Sequence, residues 1–233
     1  MSTGIAANVA RVRERIAAAA ARVGRAASDV TLIAVSKTRT PDEVEAAYQA
    51  GIRHLGENRV EEAERKRPQL ELPGVTWHMI GHLQSRKASR ALACFDIVHS
   101  VDSVRLAQKL DRLAGEQGAV LPVLIEVNVS GEPSKYGLSV SDRSGLEMSV
   151  NGIVSLSHLR VEGLMTVAFI SPDPQVVRPV FARLRALRHE FRERFPGSAW
   201  EHLSMGMTDD FEVAVEEGAT MVRVGRAVFG PRE

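Results

Sequence analysis

Short apolar runs alternate with longer amphipathic segments along the chain. The apolar runs have the length and β-branched content of buried strands, and they predict strands at 31–36, 53–55, 76–80, 96–99, 121–128, 160–164, 200–204 and 220–224. Segments with apolar residues at helical spacing predict helices at 4–26, 41–50, 58–67, 85–93, 103–117, 139–150, 174–195 and 208–217. Each predicted strand except the last is therefore followed by a helix before the next strand begins.

This alternation predicts an α/β fold, a single-domain (β/α)8 TIM barrel over residues 1–233 with an additional N-terminal helix. Eight strand–helix units in ~250 residues are typical of that barrel. The alternative is an open doubly wound sheet, which usually carries a glycine-rich turn after its first strand. The corresponding segment here reads SKTRT, so the barrel is favoured. In a barrel, the residues that follow the strands form the catalytic face.

Lys37 ends the apolar run TLIAVSK, and the helix-start pattern TPDE follows at 40–43. A strand that ends in this way delivers the amine to the cleft at the carboxyl-terminal face of the barrel. Burial lowers the pKa of an ammonium group and exposes a nucleophilic amine, which can form a Schiff base with an aldehyde. The alternative is a lysine that simply ends a strand and points to water.

Two glycine-containing loops follow the last two predicted strands. LSMGMTDDF contributes the Ser204 hydroxyl, Gly206 and a helix start at 208–210, and VRVGRAVFG contributes Gly225 and Arg226. Barrel enzymes commonly bind phosphate with the loops at these positions. We therefore predict a phosphate site there, although either glycine can equally serve as an ordinary turn residue.

Arg223 lies within the apolar run ATMVRVG, where an unpaired guanidinium would be costly to bury. Its partner is either a carboxylate, Glu201 or Glu57, or a ligand atom such as the nitrogen of a pyridine ring. Asn58 either caps the helix that starts near Arg59 or points toward a ligand hydroxyl. Arg223 and Asn58 are therefore both candidates for ligand contacts.

Composition excludes several classes of function. Thirty basic residues against 29 acidic ones leave little net charge to favour a nucleic-acid or anionic membrane partner. The single cysteine, Cys94, cannot form an intramolecular disulfide. His78 and His82 lie in a strand-to-loop segment that lacks the helical geometry of a metal motif, so no metal is predicted. With neither a signal peptide nor a long apolar segment, the protein is expected in the cytoplasm.

Seven motifs occur here in the order in which one known family has them. They are AVSKT at 34–38, HLGENRVEE at 54–62, WHMIGHLQSRK at 77–87, SKYGL at 134–138, GLMT at 163–166, LSMGMTDD at 203–210 and VRVGRAVFG at 222–230. In this combination the chain resembles the pyridoxal phosphate homeostasis proteins, the YggS or PROSC family, along nearly its whole length. The resemblance implies a barrel similar to the N-terminal domain of alanine racemase.

The resemblance also implies pyridoxal 5′-phosphate (PLP) as the cofactor, bound as a Schiff base on the lysine that matches Lys37. It implies that Arg223 faces the pyridine nitrogen, and that Ser204, Met205 and Gly206 hold the phosphate together with the Gly225–Arg226 loop. At the position of Arg226 a small hydroxyl residue is usual in the family. A guanidinium there can bind the phosphate directly, so we expect the cofactor to be retained.

Two functions from different classes fit this resemblance. One is a PLP-binding protein that takes part in intracellular vitamin B6 homeostasis, with PLP-dependent apo-enzymes as partners; the other is a PLP-dependent amino-acid racemase. A racemase needs a second acid/base opposite the lysine, and of the two tyrosines, Tyr48 and Tyr136, only Tyr136 is expected near the site. An arginine at the pyridine nitrogen also weakens the ring as an electron sink. We therefore predict binding without robust catalysis, and a monomer, since the dimer-forming second domain of racemases is not matched.

Overall fold

Eight parallel strands form a closed barrel in the computed structural model, which describes residues 2–132 and 135–231. The barrel strands are β1 (Thr31–Val35), β2 (His54–Glu57), β3 (Thr76–Met79), β4 (Ile97–Val101), β5 (Leu121–Asn128), β7 (Leu159–Met165), β8 (His202–Ser204) and β9 (Met221–Val224). A two-residue strand, β6 (Leu138–Ser139), pairs with the end of β5. Because β1 pairs with both β2 and β9, and β4 pairs with β5, the sheet closes on itself.

Nine α-helices accompany these strands in the described ranges. They are α1 (Ser2–Arg22), α2 (Pro41–Gln49), α3 (Val60–Lys66), α4 (Ala88–Cys94), α5 (Val104–Glu116), α6 (Arg143–Val154), α7 (Arg178–Arg194), α8 (Phe211–Glu216) and α9 (Arg226–Phe229). The barrel prediction is confirmed, and each strand end differs from its predicted place by at most two residues. Ser134, in the SKYGL motif, lies outside the described residues.

The predicted helix at 139–150 is wrong at its start. Residues Leu138 and Ser139 form β6, and α6 begins at Arg143. The Asp142 side chain accepts the backbone N–H of Gly145 at 3.0 Å, which caps the helix four residues later than the apolar spacing suggests. A second difference is α9, whose four residues were not predicted as a helix.

The N-terminal helix α1 covers one side of the barrel and fixes the last helix. Its apolar stripe is buried, as the helical spacing predicts: Ile5, Val9, Val12 and Ile16. The Asn8 side chain donates to the Val228 carbonyl in α9 at 3.1 Å, and Arg15 forms an ion pair with Glu212 in α8 at 3.0 Å. These contacts hold the elements that follow the last two strands against the rest of the protein.

The core has two parts. A large cluster fills the space between the strands and the helices, and it contains Phe181, Phe191, Trp200 and Phe211 as well as the buried thiol of Cys94. A small apolar cluster lies inside the barrel: Ile33, Leu124, Met165 and Met221. The next inward positions on β5 and β9 are Glu126 and Arg223, which are also buried. The barrel interior is therefore partly polar. No helix in the described ranges combines the length and apolar character of a transmembrane span.

Candidate functional site

A cavity of about 400 Å³ opens at the carboxyl-terminal ends of the barrel strands. Five of the eight predicted site residues line it: Lys37, Asn58, Arg223, Gly225 and Arg226. The remaining lining residues are Val35, Arg39, Ile80, Val167, Ile170, Met207, Thr208 and Asp209. The strand ends that the sequence places on one face therefore do meet around one space, as the barrel geometry requires.

The segment that carries Lys37 is fixed by a buried polar cluster beside it. The Ser36 hydroxyl donates to Glu57 Oε1 at 2.7 Å, and Lys66 Nζ donates to the same oxygen at 2.6 Å and to the Ser36 carbonyl at 2.7 Å. Thr38 then takes a left-handed conformation with φ of 65°, so the chain turns sharply after the lysine. The half-buried Lys37 is thereby held at the cavity wall.

Arg223 is buried in the barrel interior and still lines the cavity. Its Nη1 donates to Ser204 Oγ at 2.6 Å, and its Nη2 donates to the Thr166 carbonyl at 2.8 Å. These contacts come from β8 and from the end of β7, so the position of the guanidinium depends on the closed barrel. Burial lowers the pKa of Arg223 to about 10. The side chain is therefore a cation at neutral pH.

The prediction of a carboxylate partner for Arg223, either Glu57 or Glu201, is wrong. Glu57 pairs with Lys66 at 2.6 Å, and Glu201 is exposed. Burial raises the pKa of Glu57 even though Lys66 lies beside it. The structure thus pairs Arg223 with a hydroxyl and a carbonyl, which satisfy a buried guanidinium without neutralising it.

Asn58 does not cap a helix. The N-cap of α3 is Arg59, and its side chain makes no capping hydrogen bond. The Oδ1 atom of Asn58 is buried and has no hydrogen-bond partner among the described residues. A buried acceptor of this kind needs a donor, and Asn58 lines the cavity. Asn58 is therefore a cavity-lining amide that α3 does not use as its cap.

Only the later residues of the loop after β8 line the cavity. Ser204, Met205 and Gly206 are buried and are not among the residues that line the cavity. Gly206 has φ of 92°, and a Cβ there would lie 2.6 Å from the Cβ of Ala214, so glycine is required for packing against α8. The Ser204 hydroxyl is committed to hydrogen bonds inside the barrel. A direct phosphate contact from these residues stays a prediction.

The cavity rim carries two charged residues, Asp209 and Arg39, that were not predicted as site residues. Arg226 forms an ion pair with Asp209, and both side chains are exposed. Arg39 donates to the Gly230 carbonyl at 2.5 Å and forms an ion pair with Glu43 at 3.0 Å, so it anchors the chain after α9. Arg39 belongs to the SKTRT segment, and its place after the first strand was the signal that could have identified it.

Glu126 is a second residue that the sequence reasoning missed. It lies on β5 inside the barrel, and its Oε2 atom has no partner among the described residues. Burial, together with the nearby charge of Asp102, raises its pKa to about 7, although Arg223 acts in the opposite direction. An acidic residue in the run VLIEVNV was the available signal. The described residues contain no group of three or more His, Cys, Asp or Glu side chains that could hold a metal ion.

Residues 7–233 match the family of the alanine racemase N-terminal domain. The pyridoxal phosphate homeostasis protein of Aquifex aeolicus (strain VF5) is 40% identical over 225 residues, which cover 97% of each chain. The protein of the same name from Pseudomonas aeruginosa (strain PAO1) is 42% identical over 236 residues, which cover 100% of this chain and 97% of the relative.

Solved structures agree with these matches. PipY of Synechococcus elongatus PCC7942, with PLP bound, is similar with a TM-score of 0.82 and 39% identity, covering 94% of this chain and 100% of PipY. An alanine racemase of Clostridium difficile 630 has a TM-score of 0.68 and 14% identity, covering 88% of this chain and 53% of the racemase, and it shows the fold alone. From the near-complete matches and the shared barrel, the chain belongs to the pyridoxal phosphate homeostasis proteins, within the family of the alanine racemase N-terminal domain.

Proposed function

We propose that this protein binds pyridoxal 5′-phosphate reversibly and takes part in intracellular vitamin B6 homeostasis. The Lys37 amine would condense with the aldehyde to a Schiff base, with release of water. The observation that carries the proposal is the convergence of Lys37, Asn58 and the buried Arg223 on one cavity. The names of the relatives and the PLP-bound PipY structure support it.

Each lining group matches a different part of the cofactor. Arg223 can donate to the pyridine nitrogen, and Asn58 Oδ1 can accept a hydrogen bond from the ring hydroxyl. Gly225 and Arg226 can hold the phosphate, to which a guanidinium binds strongly. PLP supplies a reactive aldehyde and an electron-withdrawing ring when it is bound. Because the Arg223 guanidinium keeps its protons near neutral pH, it would hydrogen-bond to the ring nitrogen without protonating it, and the ring would remain a weak electron sink.

The second candidate is a PLP-dependent amino-acid racemase, which the shared fold with alanine racemase favours. Such an enzyme needs an acid/base on the opposite side of the substrate from Lys37. Tyr136 is 56% exposed and stacks on His82 with ring centroids 3.8 Å apart, and it does not line the cavity. The Tyr48 hydroxyl donates to the Pro73 carbonyl. We therefore propose binding without robust catalysis.

We propose a monomer in the cytoplasm that exchanges PLP with PLP-dependent apo-enzymes. A single buried thiol suits a reducing compartment. Sedimentation of the purified protein at several concentrations tests the monomer, and transfer of PLP to an apo-enzyme in the presence of a PLP-trapping agent tests direct exchange.

The central experiment is the absorption spectrum of the purified protein with added PLP, followed by borohydride trapping and peptide mapping. Lys37→Ala is compared with Lys109→Ala, which removes a lysine on α5 that does not line the cavity. The wild type and Lys109→Ala should show a visible Schiff-base band, and the label should map to Lys37. A band that persists in Lys37→Ala contradicts the assignment. Substantial racemisation of an amino acid by the loaded protein would favour the second candidate.

A further inference from the structure

A chain of hydrogen bonds crosses the interior of the barrel from Arg223 to His54. Arg223 Nη1 donates to Ser204 Oγ at 2.6 Å, and Ser204 Oγ lies 2.9 Å from His99 Nδ1. His99 Nε2 lies 2.8 Å from His78 Nδ1, and His78 Nε2 lies 3.0 Å from His54 Nδ1. The five side chains come from β9, β8, β4, β3 and β2, so a single connected path spans the barrel.

The three histidines of this path are neutral. His99 is fully buried, and burial, with the nearby His78 and Arg223, lowers its pKa well below the usual value. Burial also lowers the pKa of His78 to about 3 and lowers that of the half-buried His54. Each ring therefore carries one proton, on either Nδ1 or Nε2, and the hydrogen bonds decide which.

Arg223 sets the direction of the path. A guanidinium can only donate, so Ser204 Oγ accepts from it. The one hydroxyl proton of Ser204 has His99 Nδ1 as its acceptor among the described side chains. With the hydroxyl proton directed at His99 Nδ1, His99 carries its proton on Nε2 and donates to His78, which in turn donates from Nε2 to His54. This arrangement makes all three rings the Nε2–H tautomer.

The two ends of the path reach two different cavities. Arg223 lines the candidate cofactor cavity. His54, at the start of β2, lines a second cavity of about 430 Å³ at the other end of the barrel, between α1 and the strands β1 and β2. Arg223 cannot accept a proton, so the path cannot deliver a proton to the cofactor end. The path can instead fix the orientation of the side chains that it connects.

We propose that His99 and His78 are positioning residues for the cofactor site, which act through Ser204 to hold the Arg223 guanidinium in one orientation. This rests on the proposed function, since the ligand that Arg223 would contact is the pyridine ring of PLP. With His99 removed, the Ser204 hydroxyl can rotate and direct its proton elsewhere, and the guanidinium loses a fixed acceptor. Neither histidine lines the cavity, so neither would contact PLP directly.

The first test needs no cofactor. Nitrogen-15 chemical shifts of the histidine rings distinguish the two neutral tautomers and the imidazolium form. The ligand-free protein at pH 7 should show Nε2–H rings at His54, His78 and His99, and Ser204→Ala should change the His99 signal most. An Nδ1–H tautomer or an imidazolium at His99 overturns the proposal, whether or not the protein binds PLP.

The second test measures PLP affinity and the absorbance maximum of the bound form. His99→Leu removes the Nδ1 acceptor, and we expect binding about tenfold weaker with a shifted absorbance maximum. His99→Asn places an amide oxygen near the position of Nδ1, and it should restore most of both. His202→Asn is the matched control, since His202 is a half-buried barrel histidine whose Nδ1 lies near Thr220 Oγ1 at 3.3 Å, outside the path.

A double substitution separates positioning from a general loss of packing. If His99 acts through the Ser204 hydroxyl, His99→Leu should weaken PLP binding little further in a Ser204→Ala background. Fully additive effects, or unchanged affinity and spectrum in a folded His99→Leu protein, contradict the proposal. Absence of PLP binding in the wild type would refute the proposed function instead, and the tautomer measurement would still decide whether the path exists.

Discussion

Glu126→Gln should make the protein more stable at pH 8 but not at pH 4. Glu126 is a carboxyl group inside the barrel whose Oε2 atom has no partner among the described residues. Burial raises its pKa from an ordinary value of 4.5 to about 7. Glutamine has nearly the same shape and no charge, so the substitution removes the ionisation while the packing of the barrel is kept.

The size of the effect follows from the pKa difference between the folded and the unfolded chain. Between pH 4.5 and about 7, Glu126 is ionised when the chain is unfolded and protonated when it is folded. The folded state then binds more protons, so its stability falls as the pH rises through this range. A pKa difference of about 2.5 corresponds to about 3 kcal/mol, reached above pH 7. The free energy of unfolding of the variant, relative to that of the wild type, should therefore rise by this amount from pH 4 to pH 8.

Urea denaturation at several pH values measures this difference in the free energy of unfolding. Glu201→Gln is the control, because it removes an exposed carboxylate directly before β8 and should follow the wild type. A stability difference between Glu126→Gln and the wild type that stays constant across the pH range would show that Glu126 is solvated or paired. The reasoning about its burial would then be wrong.

Three further substitutions test other parts of the structure. Lys66→Ala leaves Glu57 buried without its partner and should lower the free energy of unfolding, measured by urea denaturation, by about 3–5 kcal/mol. Lys66→Met combined with Glu57→Leu replaces both charges by apolar side chains and should recover most of that loss. Gly163→Ala places a Cβ 2.0 Å from a carbonyl oxygen of the neighbouring strand, so circular dichroism should show loss of the native fold. Asp209→Asn releases Arg226 from its exposed ion pair and should tighten PLP binding about two- to fivefold, measured by titration calorimetry. The gain in affinity should become smaller at high salt. Weaker binding would mean that Asp209 orients Arg226.

The barrel could be predicted because its strands and helices differ in periodicity. The strand-like runs and the amphipathic helices alternate regularly, and all eight barrel strands occur where the sequence places them. The elements that were missed are short: β6 has two residues and α9 has four. Each of these elements contains only about one period of its own pattern, which is too short to recognise in a sequence. Their existence depends on the neighbouring strands. The start of α6 depends on one capping side chain, Asp142.

The site could be predicted only as far as it consists of strand ends. Lys37 and Arg223 follow or lie in a recognisable apolar run, Asn58 follows a predicted strand, and the barrel brings the three together. Contacts across the interior are different, because they join residues that are distant in sequence. Ser204 and His99 are 105 residues apart, and only the closed barrel brings the hydroxyl within 2.9 Å of the ring. Sequence spacing carries no signal for such a pair.

The closure of the barrel between β1 and β9 has a consequence for how the protein acquires its ligand. Lys37 follows the first strand and Arg223 lies on the last, and these two strands pair directly, with Ile33 opposite Arg223. Non-local pairing of this kind forms late, because the entropy of closing a long loop must be overcome first. On the ribosome, every nascent fragment that lacks β9 and the residues after it is without Arg223, Gly225 and Arg226 in the cavity wall. Ligand capture is thus coupled to the addition of β9, and a bound ligand stabilises the closed barrel selectively over precursors that lack this strand.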